Sequence, residues 1–239
     1  MTAPPLARWG VSADLRPMAG GARNRVLRTV GLAPELVFKT TTRTDDAIGW
    51  LSAVHQAAEA CGLRVPSYLP SLDGALVEDG WTCEPLIEGR SFAPGDMPKM
   101  APMLAAFHRA TASMGQRPGL RSSGDLLSER AGGDVDLGAM PDAVVLACRA
   151  AWANVAGSPE AVVHGDLTPA NLIWSDAGPA LLDWDECRRD LTLFDRVQVR
   201  GGTAEDERAV LAWEVACCWT REPARARRLA ATLIDGTGS

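Results

Sequence analysis

A two-lobed α+β protein is what the sequence predicts, and three observations predict it. Short β-rich segments parted by glycine turns fill the chain up to residue 90, amphipathic helical patterns follow, and two short apolar runs, residues 161–163 and 180–183, interrupt the helices. At 239 residues and 46% apolar the chain can bury a sizeable core, and with 23% charged residues it is neither disordered nor fibrous.

The elements follow in order. Residues 15–18, 25–30 and 35–40 read as consecutive antiparallel strands, separated by Gly20-Gly21 and Gly31. Thr44-Asp45-Asp46 is an N-cap followed by early negative charge, and Ile48, Leu51, Val54, Ala58 and Cys61 recur at helical spacing before Gly62. Residues 74–77 and 81–87, turned at Glu78-Asp79-Gly80, complete an expected five-stranded antiparallel sheet with one helix. The expected division is an N-terminal lobe over residues 1–84, a hinge over 85–90 and a mostly helical lobe over 91–239. Helices are expected over 97–114, 141–155, 204–219 and 222–234. The junction of two such lobes is the default ligand site.

The net charge of −6 argues against a nucleic-acid partner and suits a cationic small molecule. No apolar run is long enough for a signal peptide or a membrane span, so a soluble cytoplasmic protein is expected. Six dispersed cysteines without a C-x-x-C pair read as buried thiols, and with three histidines they show no zinc-ligand spacing. Of the 24 basic residues only Lys39 and Lys99 are lysine. That bias reads as genomic, but it directs attention to any lysine retained.

The chemistry concentrates in His164-Gly165-Asp166-Leu167-Thr168-Pro169-Ala170-Asn171 and in Leu181-Leu182-Asp183-Trp184-Asp185-Glu186. An Asp and an Asn five residues apart, then a second Asp ending an apolar strand, match the plan of phosphoryl transfer. That reaction leaves the protein mainly positioning and charge neutralisation. It needs a carboxylate facing the acceptor hydroxyl and hard oxygen ligands for Mg²⁺. These two strings resemble the aminoglycoside phosphotransferase and choline kinase superfamily, small-molecule relatives of protein kinases with the same two-lobed fold.

The resemblance implies ATP and Mg²⁺ as cofactors, with Asp166 as catalytic base, Asn171 and Asp183 as magnesium ligands, and His164 bracing the catalytic loop by hydrogen bonding. Lys39, in the strand segment Leu36-Val37-Phe38-Lys39-Thr40, matches the lysine on the α- and β-phosphates. Gly20 and Gly21 fall where the family covers the phosphates, and main-chain groups near Glu84 and Leu86 where it meets adenine. Asp195 resembles a trailing Asp that supports the catalytic loop. Asp185, Glu186, Glu205 and Asp206 are candidates for the acceptor, though a solvated turn and helix-dipole compensation account for them as well. His55 and His108 read as packed or surface histidines, and the eight tryptophans as core.

One departure stands out. The helix after the lysine strand lacks the family's glutamate: Asp45 and Asp46 come too early and Glu59 too late, so the partner of Lys39 is open, Asp46 or phosphate alone. The expected function is transfer of the γ-phosphate of ATP to a hydroxyl of a small molecule, which could be an antibiotic, an amino alcohol, a sugar or a nucleoside. The alternatives are a nucleotide-binding pseudokinase acting as a regulatory module and a metal hydrolase using Asp183 and Asp185 alone.

Overall fold

Val26–Val30 alternates half-buried and buried positions, the pattern of a strand with one face on a core. The computed structural model describes residues 3–18 and 24–235, and the chain divides into two compact units. The first comprises Met1–Ser91 with Leu172–Leu182, the second Phe92–Asn171 with Asp183–Ser239.

In the first unit β1 (Asp14–Pro17), β2 (Val26–Val30), β3 (Leu36–Thr40) and β4 (Trp81–Pro85) form a four-stranded antiparallel meander in sequence order. Leu27, Leu36, Phe38, Trp81 and Cys83 make its buried cluster, with Trp9 edge-on to Phe38 at 5.4 Å between ring centroids. Phe38 is fully buried, so truncation to Ala would cost about 3–5 kcal/mol. Buried Thr29 is satisfied by the next strand, accepting from the Leu36 amide at 2.8 Å. The expected helix is α1 (Asp45–Ala60), capped by the Thr44 side chain accepting from the Ala47 amide, with Ile48, Leu51, Val54 and Ala58 buried.

The fifth strand expected over residues 74–77 is not formed. That segment bends, and the amides of Leu76 and Val77 donate to Asp45 Oδ1 at 2.6 and 3.0 Å rather than to a ladder. Only the Glu78–Trp81 bridge survives, closed by reciprocal backbone bonds of 2.9 and 2.8 Å around Asp79-Gly80, both at positive φ. A separate three-stranded sheet joins β5 (Arg90–Ser91), β9 (Leu172–Ser175) and β10 (Gly178–Leu181) in the order β10-β9-β5.

The second unit starts with a 3-10 turn, Pro94–Met100, then α2 (Ala101–Thr111). The single helix expected over 97–114 is thus shorter: Pro98 lies in the turn and a proline occupies the first turn of α2. A two-stranded ribbon follows, β6 (Ala131–Gly132) with β7 (Val135–Asp136), then α3 (Asp142–Ala153), β8 (Glu160–Val163), β11 (Arg188–Leu191), α4 (Leu193–Arg200), α5 (Ala204–Cys218) and α6 (Pro223–Asp235). Helix α5 packs on α3, α4 and α6, around a core that includes Trp152, Val163, Phe194, Trp213 and Leu233. All six cysteines are free thiols, five buried and Cys61 half-buried. Burial, with Glu84 beside it, pushes the Cys83 thiol up to about 12. Among the described residues no helix is long and apolar enough to cross a membrane.

Candidate active site

Strands β8 and β11 pair antiparallel with Val163 opposite Arg188. The loop that leaves β8 at His164 and the turn that enters β11 after Cys187 therefore emerge at one end of the ribbon. That register brings the loop after Val163 and the turn over residues 183–187 to the same end of the ribbon, within the second unit.

The catalytic-loop candidate hangs on one carboxylate. Asp195, fully buried in the first turn of α4, accepts the His164 amide at 2.9 Å and the Gly165 amide at 3.0 Å. It also pairs with His108 Nε2 at 3.0 Å. Burial by itself raises the Asp195 pKa; the His108 hydrogen bond, the charges of His108 and His164 and the Gly165 amide outweigh it and hold the carboxyl below its ordinary value. His164 is buried, packed edge-on to Trp184 at 5.0 Å, and its Nδ1 accepts the Asp166 amide at 3.3 Å. His108, expected to be a packed or surface histidine, is a packed one with a definite task.

Gly165 follows at φ +85, and a Cβ there would sit 2.6 Å from Arg188 Nη1 and 2.9 Å from the Glu186 carbonyl oxygen. The chain then exposes Asp166. Asn171 folds back on it: Nδ2 donates to the Asp166 carbonyl and to its Oδ2, both at 2.9 Å. The donor end of the amide is thereby fixed, and Oδ1 is left as an acceptor.

Asp183 takes φ +61 and ψ 68, one of two non-glycine residues at positive φ among those described. A left-handed carboxylate residue at the end of a strand is a strained placement of the kind that collects at functional sites. The following turn is held by two buried arginines that the sequence pattern did not single out, Arg117 and Arg188. No periodicity marks Arg117, which lies in a loop, nor Arg188, whose strand β11 has only four residues. Arg188 lies 3.4 Å from the Trp213 ring centroid and donates through Nε to Asp190 Oδ2 at 2.8 Å. Asp190 in turn accepts from Ser123 Oγ at 2.6 Å.

The acceptor candidates separate. Asp185 and Glu186 are half-buried in this turn, and Glu186 Oε2 accepts from Trp213 Nε1 at 3.4 Å. Glu205 is exposed at the start of α5. Asp206 is buried there, its Oδ2 accepting from the Thr203 amide at 3.0 Å in a capping box and from Arg196 Nη2 at 2.9 Å. Its carboxylate has structural partners already.

In the first unit, Lys39 is 7% exposed on β3, with Val26 and Thr82 as its register partners. Asp45 carries the 76–77 bend, while Asp46 and Glu59 are exposed. Glu84 sits in β4 opposite Val37, and the Leu86 amide donates to the Glu35 carbonyl at 2.9 Å. Gly20 and Gly21 lie outside the described residues.

Among the described residues, no group of three or more His, Cys, Asp or Glu side chains is placed to hold a metal. Magnesium asks for less, one or two protein oxygens with waters and phosphates completing its shell. The Asn171 amide oxygen and the Asp183 carboxylate are donors of that kind, and they fit.

The phosphotransferase enzyme family matches residues 14–233. A search of curated proteins found no match. Among solved structures, a thermostable mutant of aminoglycoside phosphotransferase APH(4)-Ia is similar at 14% identity and TM-score 0.69, covering 98% of both chains. Amicoumacin kinase hAmiN, in complex with AMP-PNP, Ca²⁺ and Ami, aligns at 13% identity and TM-score 0.67 over 93% of this chain and 88% of that one. Choline kinase LicA from Streptococcus pneumoniae aligns at 15% identity and TM-score 0.62 over 95% of each. At these identities the likeness is one of fold, an α+β kinase-like fold.

Proposed function

The chain belongs to the phosphotransferase enzyme family, a small-molecule kinase by that membership, and from this premise we propose that it transfers the γ-phosphate of ATP to a hydroxyl of a small molecule, with a cationic acceptor the best match to the acidic residues near the site. The observation that carries the reading is the Asp166–Asn171 pair, an exposed carboxylate and a donor-locked amide on one short loop anchored by Asp195. Asp166 would orient the acceptor hydroxyl and take its proton, with His164 keeping the loop in place through the Asp166 amide. Asn171, through Oδ1, and Asp183 would hold magnesium. The ion, when bound, supplies neutralisation of charge on the phosphates.

Residues 1–84 are assigned to the nucleotide. Lys39 would meet the α- and β-phosphates, Gly20 and Gly21 would cover them, and main chain from Glu84 to Leu86 would meet adenine. With its amide given to Glu35, Leu86 would offer adenine its carbonyl. Residues 85–90 are assigned as the hinge and 91–239 as the catalytic and acceptor lobe. Half-buried Asp185 and Glu186 and exposed Glu205 suit a cationic acceptor better than Asp206, whose carboxylate caps α5. An antibiotic acceptor is in keeping with the amicoumacin kinase and with an APH(4)-Ia complex containing AMP-PNP and hygromycin B, which aligns at 15% identity and TM-score 0.65 over 98% of both chains.

The test is magnesium-dependent ATP turnover against a library of hydroxylated small molecules read by mass shift, with Asp166→Ala as control. A phosphorylated product that disappears in the variant supports the assignment. Nucleotide binding without turnover on any acceptor would favour the pseudokinase alternative, for which the lack of a glutamate at the family's position in the helix after the lysine strand is the one sequence argument.

A further inference from the structure

The four carbonyl groups that follow Asp183 are all accounted for by two buried side chains. Arg117 Nη1 donates to the carbonyls of Trp184 at 3.0 Å, Asp185 at 3.0 Å and Cys187 at 3.2 Å. Arg188 Nη1 donates to the carbonyl of Glu186 at 3.1 Å. Arg117 is 0% exposed and Arg188 1%. Burying a guanidinium is costly unless it gains several hydrogen bonds to strong acceptors. Arg117 reaches this turn across 67 to 70 residues of sequence, which is expensive in chain entropy as well. The turn it grips begins at the residue held in left-handed backbone geometry, Asp183 at φ +61.

We propose that Arg117 is a positioning residue for the metal-holding carboxylate of Asp183: it gathers the carbonyls of Trp184, Asp185 and Cys187 and so fixes the backbone from which that carboxylate is presented. The inference rests on the assignment of Asp183 as a magnesium ligand. A residue left strained at φ +61 relaxes unless its surroundings over-determine it, and the Arg117 bonds begin at the very next residue. Arg188 complements it, since Arg188 Nη1 also faces the Gly165 backbone at a distance that excludes a Cβ, so the turn and the catalytic loop share one buried support. Because three carbonyls converge on a single nitrogen of Arg117, the side chain acts there as a point donor. An ammonium also carries three donors on one nitrogen, but lysine ends one bond short of the Nη1 position. Arg117→Lys is therefore expected to retain part of the support that Arg117→Met loses.

The experiment titrates Mn²⁺, as a paramagnetic probe for magnesium, into the full chain with AMP-PNP present, and measures AMP-PNP affinity separately in EDTA. Wild type, Asp183→Asn, Arg117→Met and Arg117→Lys are compared. The expected result is Mn²⁺ affinity weakened about 10-fold or more in Arg117→Met, the size typical of lost support around a metal ligand. Metal-free AMP-PNP affinity should stay unchanged, and Arg117→Lys should bind Mn²⁺ more tightly than Arg117→Met. A merely structural role would lower both affinities together or neither, and either pattern overturns the proposal. If Arg117→Met does not fold, Arg117→Gln takes its place under the same outcomes. Mn²⁺ uptake lost in Asp183→Asn but unchanged in folded Arg117→Met overturns the role of Arg117 alone. Mn²⁺ uptake unchanged in Asp183→Asn overturns the metal assignment and this inference with it.

Discussion

Asp195 Oδ2 lies 3.0 Å from His108 Nε2 while the same carboxylate accepts the amides of His164 and Gly165. The backbone just before Asp166 is therefore suspended from a buried charge supplied by a helix, and a histidine from another helix holds that charge in place. Asp195→Asn keeps the shape but turns one acceptor oxygen into a donor facing an amide. It should destabilise the protein by about 1–3 kcal/mol in urea unfolding and reduce turnover, since the loop loses its anchor.

The same group sets a pH dependence. The Asp195 and Asp206 carboxyls are both held below the ordinary value of 3.8, against the opposing effect of burial: Asp195 chiefly by His108, Asp206 by the Thr203 amide and Arg196. Each binds its proton more weakly folded than unfolded. Their stabilisation is therefore complete above the ordinary carboxylate value and is lost as pH falls through the lower folded values. Urea midpoints measured from neutral pH downward should drop in this acid range, and the Asp195→Asn variant should show a shallower drop than wild type.

Gly165→Ala should be among the most damaging single-methyl changes in the chain. The added carbon would lie 2.6 Å from Arg188 Nη1 and 2.9 Å from the Glu186 carbonyl oxygen, at a φ of +85 that side chains resist. A loss of about 1–3 kcal/mol in thermal or urea unfolding is expected, with turnover falling further than stability because Asp166 is the next residue. Wild-type turnover in Gly165→Ala would mean that the two loops can part without consequence.

Asp183→Gly should separate stability from activity. Removing the side chain relieves left-handed strain, so stability is expected to stay level or rise by up to about 1 kcal/mol, while magnesium-dependent turnover disappears with the carboxylate. Thermal unfolding and an ATP assay on the same sample check both halves. Retained activity would remove Asp183 from the site.

Lys39→Arg conserves charge but replaces a slender ammonium with a planar fork on a strand position only 7% exposed. Turnover with MgATP should fall on the order of 10²-fold. Near-normal turnover would take Lys39 out of the phosphate site.

The sequence was informative where chemistry and local pattern coincide. The strings at residues 164–171 and 181–186, the lysine strand and the capped helix at Asp45 could all be read because each is a short-range signal. The supports were not legible, because Arg117, Asp190 with Ser123, and His108 act on residues far away in the chain. The expected fifth strand failed for a related reason. Residues 74–77 have strand-like composition, but Asp45, read only as negative charge at a helix start, takes two of their amides. Short strands such as β5 and β11 carry too few residues for an alternation to show. Helix α4 begins one residue after β11, and Thr192 at its N-cap makes no side-chain capping bond.

The hairpin formed by β9 and β10 bears on how the chain is made. It completes the first compact unit, pairing with β5, yet it is encoded after the whole of Phe92–Asn171. As the chain leaves the ribosome, the N-terminal meander can form early, but its unit stays unfinished until residue 182 has emerged, by which time the helices α2 and α3 are already exposed and searching for partners. Completion of the first unit is thus tied to synthesis of the loop over residues 164–171, since the chain must pass through Asp166 and Asn171 before β9 can reach β5.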